Sequence, residues 1–146
     1  MIGDTGVGKS TIMSYLAEED LKVEMRGLKY CLVACESNKI KIGHQKYSET
    51  SLPNEVVIGN QVFYDCPGFN DNTGEEKDIT NSFYLQRIVS LYPRTKFVIV
   101  IDYSYLTESR SYLLPALTKK LKEAFGSLKA IRDNTIVIIN KCKSDW

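Results

Sequence analysis

The sequence predicts an α/β fold of three layers, helices covering both faces of a mostly parallel sheet, in one domain spanning residues 1–146. Helix-period segments alternate with β-rich runs along the chain, the pattern of βα units. The two strongest runs, 96–102 (KFVIVID) and 135–140 (TIVIIN), are nearly all apolar, which suits strands covered on both faces as in a parallel sheet. Each polar motif also follows a strand, where open α/β sheets place their ligands.

In chain order, Met1-Ile2 is the remnant of a first strand. Gly3-Asp4-Thr5-Gly6-Val7-Gly8-Lys9-Ser10 fits GxxxxGK[ST] without a mismatch, and Thr11 to Leu16 continues with helical spacing. Residues 30–35 (YCLVAC) and 39–42 (KIKI) read as short strands, and the polar, proline-containing stretch 48–54 as a loop. Residues 55–66 carry two β-rich runs across Gly59-Asn60 and predict a hairpin whose second arm ends at Asp65. Residues 69–78 (FNDNTGEEKD) are acidic and aperiodic, hence a mobile loop, and 79–91 are helical through Ile79, Phe83, Arg87 and Ile88. Within 108–128, Leu113, Leu114, Leu117, Leu121, Ala124 and Phe125 recur at helical spacing, and Pro115 requires the helix to start near Leu114. Strand 135–140 ends six residues before the last residue. The expected domain is therefore truncated at both ends, lacking its first strand and its C-terminal strand and helix.

Composition narrows the function classes. With 43% hydrophobic residues and a formal charge of +1, the chain can build a core and has no broad basic field for nucleic acid or anionic membrane. The longest purely apolar run, Phe97 to Ile101, is far short of the roughly 20 residues that cross a bilayer. No membrane segment and a cytoplasmic location are expected. Cys31, Cys35, Cys66 and Cys142 are irregularly spaced without a CxxC pair and read as reduced core thiols, and His44 reads as a loop histidine.

The glycine loop carries the chemistry. Successive backbone N–H groups of Gly3, Asp4, Thr5, Gly6, Val7 and Gly8, with the positive end of a following helix, suit a phosphate chain. Lys9 adds a point charge at the β and γ phosphates, Ser10 places a hydroxyl on Mg²⁺, and Thr11 reaches toward the α phosphate. Asp65-Cys66-Pro67-Gly68 ends a strand, so Asp65 can supply a carboxylate to the Mg²⁺ shell and Gly68 an unobstructed N–H to a γ phosphate.

Together, GDTGVGKST, SET and DCPGF resemble the G1, G2 and G3 elements of P-loop GTPases, most closely the septin-like branch of septins and immunity-associated nucleotide-binding GTPases. The resemblance covers essentially the whole chain and implies an incomplete G domain of P-loop NTPase fold. It implies GTP and Mg²⁺ as ligands and slow, Mg²⁺-dependent hydrolysis serving a switch, with GTP/GDP as partners and a homodimer across the nucleotide face. Thr50 is the counterpart of the switch threonine that covers Mg²⁺ and the γ phosphate, with Ser48 and Thr5 as lesser phosphate contacts. Catalysis would fall to Lys9, Thr50 and Gly68, and the metal shell to Ser10, Thr50 and Asp65.

Two departures keep alternatives open. Asn140-Lys141-Cys142-Lys143 lies where the guanine-reading NKxD motif belongs, but Lys143 cannot accept the guanine N1 and N2 hydrogen bonds. Phe69 follows DxxG where Ras-like enzymes place the glutamine that orients water, and a phenyl ring cannot do so. A P-loop ATPase and a nucleotide-binding module without turnover are the competing readings.

Overall fold

The computed structural model describes residues 1–35, 40, 52–69, 75–92, 94–107 and 112–142. The elements run α1 (Lys9–Leu16), β1 (Leu21–Arg26), β2 (Lys29–Ala34), β3 (Asn54–Ile58), β4 (Gln61–Asp65), α2 (Glu75–Leu91), β5 (Phe97–Asp102), α3 (Ser104–Thr107), α4 (Leu113–Phe125), α5 (Leu128–Arg132) and β6 (Thr135–Asn140).

The expected three-layer P-loop NTPase fold on a mostly parallel sheet is corrected by the strand pairing. Among the described residues, β1 pairs with β2 and β3 with β4, both antiparallel, and only β5 with β6 is parallel. The reason is local. Two-residue connections, Gly27-Leu28 and Gly59-Asn60, turn each strand back onto its predecessor, so the hairpins satisfy their own ladder bonds. Among the described residues, parallel pairing extends beyond β5 and β6 as isolated bridges, Ile2 with Ile99 and Asp4 with Phe69.

The 55–66 hairpin, the strands at 97–102 and 135–140 and the helix starting at Leu113 match the sequence pattern. Strand β1 was not anticipated, although Leu21, Val23 and Met25 alternate with Lys22, Glu24 and Arg26. The 39–42 strand expectation falls largely outside the described residues. Helix α2 begins at Glu75, four residues before the expected Ile79. It is also turned: Leu85 and Asn81 are buried, whereas Ile79 and Phe83 face solvent. Strand β6 is not the buried strand expected, since Ile136 and Val137 are more than half exposed.

One core gathers Ile2, Val7, Phe69, Leu85 and Phe97 with the centre of β5 and with Leu117 and Leu121 of α4. The glycine loop is thus seated directly on the main core through Val7. A smaller cluster of Met13, Ile40 and Val56 lies under α1. No helix among the described residues is long and apolar enough to cross a membrane.

Candidate functional site

The loop takes its shape from Gly8, whose φ of 95° lies in the left-handed region and whose next residue opens α1. A side chain there would be strained, and its Cβ would collide with the Asn140 amide. That amide donates to the Val7 carbonyl at 2.8 Å, tying the end of β6 to the middle of the loop. The N–H groups of Gly6, Val7 and Gly8 have no backbone acceptor among the described residues. The first-turn amides of α1 from Lys9 onward add to them, because the start of a helix leaves its N–H groups without intrahelical partners. A run of donors at a helix start is a ready anion cradle.

Lys9 is 6% exposed, and its Nζ donates to the carbonyls of Asp4 (2.9 Å) and Gly3 (3.2 Å). Burial pushes its pKa below the ordinary lysine value, against the opposing charges of Asp65 and Asp4. Ser10 Oγ donates to Asp65 Oδ2 at 2.6 Å, bringing the loop and the end of β4 together across 55 residues. Asp65 is 1% exposed, and its Oδ1 has no hydrogen-bond partner among the described residues. A serine hydroxyl and a carboxylate with an uncommitted oxygen are hard donors that fit Mg²⁺, which favours oxygen and retains several waters. No group of three or more His, Cys, Asp or Glu gathers among the described residues.

Gly68 is pressed onto the loop. A Cβ on it would collide with Thr5 Oγ1 and lie 2.6 Å from the Thr5 nitrogen. Phe69 continues the contact: the Thr5 amide donates to its carbonyl (2.9 Å) and its own amide donates to the Gly3 carbonyl (3.1 Å). Its ring is 1% exposed within the core. Phe69 is therefore a core residue that fastens the segment after Asp65 to the loop, and not the first residue of a mobile loop.

Of the residues singled out in the sequence, Gly3 to Ser10, Asp65, Gly68 and Asn140 come together, and Thr11 follows in the first turn of α1. Lys141, at φ 57°, instead turns to Asp102, with Nζ 3.0 Å from Oδ2. Burial alone would raise the Asp102 pKa, but hydrogen bonds from the Ser104 amide and Lys141 outweigh it and hold the carboxylate below its ordinary value. Thr50, Ser48, His44 and Lys143 lie outside the described residues. Arg87 is exposed. Of the four thiols, Cys66 is buried and Cys142 exposed, so only part of the expectation of core thiols holds.

Sequence reasoning missed three polar residues. Tyr105 donates its phenol to Asp4 Oδ2 at 2.6 Å, Asn81 reaches the Gly68 carbonyl at 3.5 Å, and Asp102 holds Lys141. Only Asp102 carried a signal, as the carboxylate ending a strand.

Asp65 yields a stability prediction. Burial raises its pKa above the ordinary 3.8, against the Ser10 hydrogen bond and the Lys9 charge. The folded state then holds this proton more tightly than the unfolded chain, so its contribution favours folding at low pH and is lost as pH rises through the raised value. Asp65→Asn keeps an acceptor for Ser10 and removes the buried charge. It is expected to raise the melting temperature by a few degrees at pH 7–8, an effect of about 1 kcal/mol. The gain should fade toward pH 4; melts showing a pH-independent shift, or none, would contradict the assignment.

Comparison with known protein families, with curated proteins and with solved structures finds no match to this chain.

Proposed function

We propose that the chain binds GTP with Mg²⁺ in the loop from Gly3 to Thr11 and hydrolyses it slowly, serving as a nucleotide switch. The reading rests above all on the 2.6 Å contact between Ser10 Oγ and Asp65 Oδ2, which makes one site of two motifs far apart in sequence. The likeness of GDTGVGKST and DCPGF to the septin-like GTPases supplies the nucleotide class.

In this reading the amides from Gly6 to Ser10 receive the phosphates, and Lys9 exchanges its two carbonyl partners for phosphate oxygens. Ser10 and Asp65 hold the cation's side of the site, and Asn140 stiffens the loop through the Val7 carbonyl. Mg²⁺ supplies neutralisation of charge on the β and γ phosphates. The buried Phe69 leaves no group at its position to orient water, so turnover is slow or depends on groups from a partner, such as a second copy docked across the nucleotide face. Thr50 is the proposed third contact to the cation and terminal phosphate.

Adenine is the competing base, favoured by Lys143 in place of the guanine-accepting aspartate. Titration of the chain with GTP and with ATP in Mg²⁺ decides between them. GTP is expected to bind at least about tenfold tighter, a difference of about 1.4 kcal/mol; ATP binding equally or more tightly overturns the guanine assignment. Single-turnover assays of phosphate release then separate slow hydrolysis from binding alone.

A further inference from the structure

The hairpin of β1 and β2 turns its apolar side to solvent. In an antiparallel pair, directly opposed residues share a face and successive residues alternate between faces. The register sets Val23 opposite Leu32 and Met25 opposite Tyr30, with Leu21 and Ala34 continuing the same face. The other face carries Lys22, Glu24 and Arg26, with Glu24 Oε1 2.7 Å from Lys22 Nζ and Glu24 Oε2 3.6 Å from Arg26 Nη2. An antiparallel sheet with one wet side ordinarily packs its apolar face on the core. Here the buried residue, Val33, lies on the charged face, while Tyr30 is 79% and Met25 69% exposed, and Val23 and Leu32 are also open to solvent. Leu28, in the turn, is fully exposed. Among the described residues, neither core cluster includes a residue of β1 or β2.

We propose that this face is the interface with a second copy of the chain, the two hairpins stacking apolar face to apolar face about a two-fold axis. An isolated two-stranded ribbon is marginal in water and needs a layer against its apolar side. A second copy supplies that layer, since two sheets stack about 10 Å apart with their inner faces interdigitating. The exposed surface of Val23, Met25, Leu28, Tyr30 and Leu32 comes to roughly 700 Å² per copy, near the about 800 Å² that each partner contributes to a stable interface. The five residues are uncharged, so the patch meets its own copy without like-charge repulsion. A lipid surface is the poorer occupant, because Lys22 and Arg26 lie on the opposite face, away from the headgroups that the apolar side would meet. The inference goes beyond the nucleotide reading and does not depend on it.

The test is sedimentation velocity of the full chain, without nucleotide, from about 1 to about 100 μM, which reaches the weaker interfaces of this size. Twice the monomer mass is expected at about 10 μM. Met25→Glu and Met25→Lys each place a charge on the stacked face and are expected to weaken association at least about 100-fold, with circular dichroism checking that both fold. Mixed together, the two variants are expected to recover a dimer, which a misfolded hairpin would not do. Tyr30→Ser removes apolar area without adding charge; it is expected to weaken association about tenfold and serves as the test if a charged variant fails to fold. Arg26→Gln, on the opposite face, is expected to change association by no more than about twofold. A chain that stays monomeric at about 100 μM overturns the proposal, whether or not it binds vesicles of anionic phospholipid. A dimer indifferent to the face variants, or a mixture of the charged pair that remains monomeric, overturns it as well.

Discussion

Replacing Lys9 by methionine is expected to weaken nucleotide binding at least 100-fold, about 2.7 kcal/mol, while moving the melting temperature of the free chain by only a few degrees. The ammonium donates to two carbonyls of the loop, and hydrogen bonds from a charged donor to phosphate contribute about 1.5 to 3 kcal/mol each. The free chain tolerates the change because the buried charge is a burden to folding. Burial lowers the Lys9 pKa below its ordinary 10.5, so the folded state holds this proton less tightly than the unfolded chain. Folding is accordingly opposed by the Lys9 charge at neutral pH, and relieved as pH rises from the lowered value toward 10.5. Methionine preserves the apolar stem and discards the charge. The Gly3 carbonyl keeps the Phe69 amide as a partner, so one of the two acceptors Lys9 leaves stays satisfied. Calorimetric titration beside a thermal melt checks both halves. Retained affinity in Lys9→Met would remove the phosphate site from this loop, and a collapse of the melting transition would make Lys9 a structural residue.

Phe69→Gln is expected to destabilise the chain by about 3 kcal/mol and to leave hydrolysis no faster. By sequence alone the substitution looks like the restoration of a water-orienting glutamine. The fold says otherwise, because the Phe69 ring is 1% exposed, belongs to the main core and lies under Lys120 of α4, whose Nζ is 5.9 Å from the ring centroid. Glutamine there would lose about 1.5 to 3 kcal/mol of apolar burial and would add an amide with no provision for its hydrogen bonds. For a chain of this length the melting temperature should fall by roughly 6 to 12 °C. The two backbone hydrogen bonds that fasten Phe69 to Thr5 and Gly3 would loosen with it. Faster phosphate release with an unchanged melt would show that position 69 faces the site and not the core.

Several features were legible because they depend on neighbours a few residues away. The spacing of glycines around Lys9 is enough to set a left-handed residue at Gly8 and a helix from Lys9. The Gly59-Asn60 turn sets a hairpin of matched register, and the apolar runs set strands at 97–102 and 135–140. The sequence also identified Ser10 and Asp65 as partners, although only through the order of two motifs. The same local turns override the longer-range alternation of helices and strands. A two-residue connection commits its strands to each other, so among the described residues two of the three strand pairs are antiparallel despite an alternating pattern that suggests a parallel sheet.

What the sequence determined by itself is the set of local conformations, because periodicity and turn residues act over one or two turns of chain. Tertiary structure alone decided that Phe69 is core, that α2 buries Leu85 in place of Ile79 and Phe83, and that the Tyr105 hydroxyl donates to Asp4. It also brought Asn140 to Val7 across 133 residues. Those outcomes depend on which distant surfaces meet, and no pattern within a short window encodes a partner a hundred residues away.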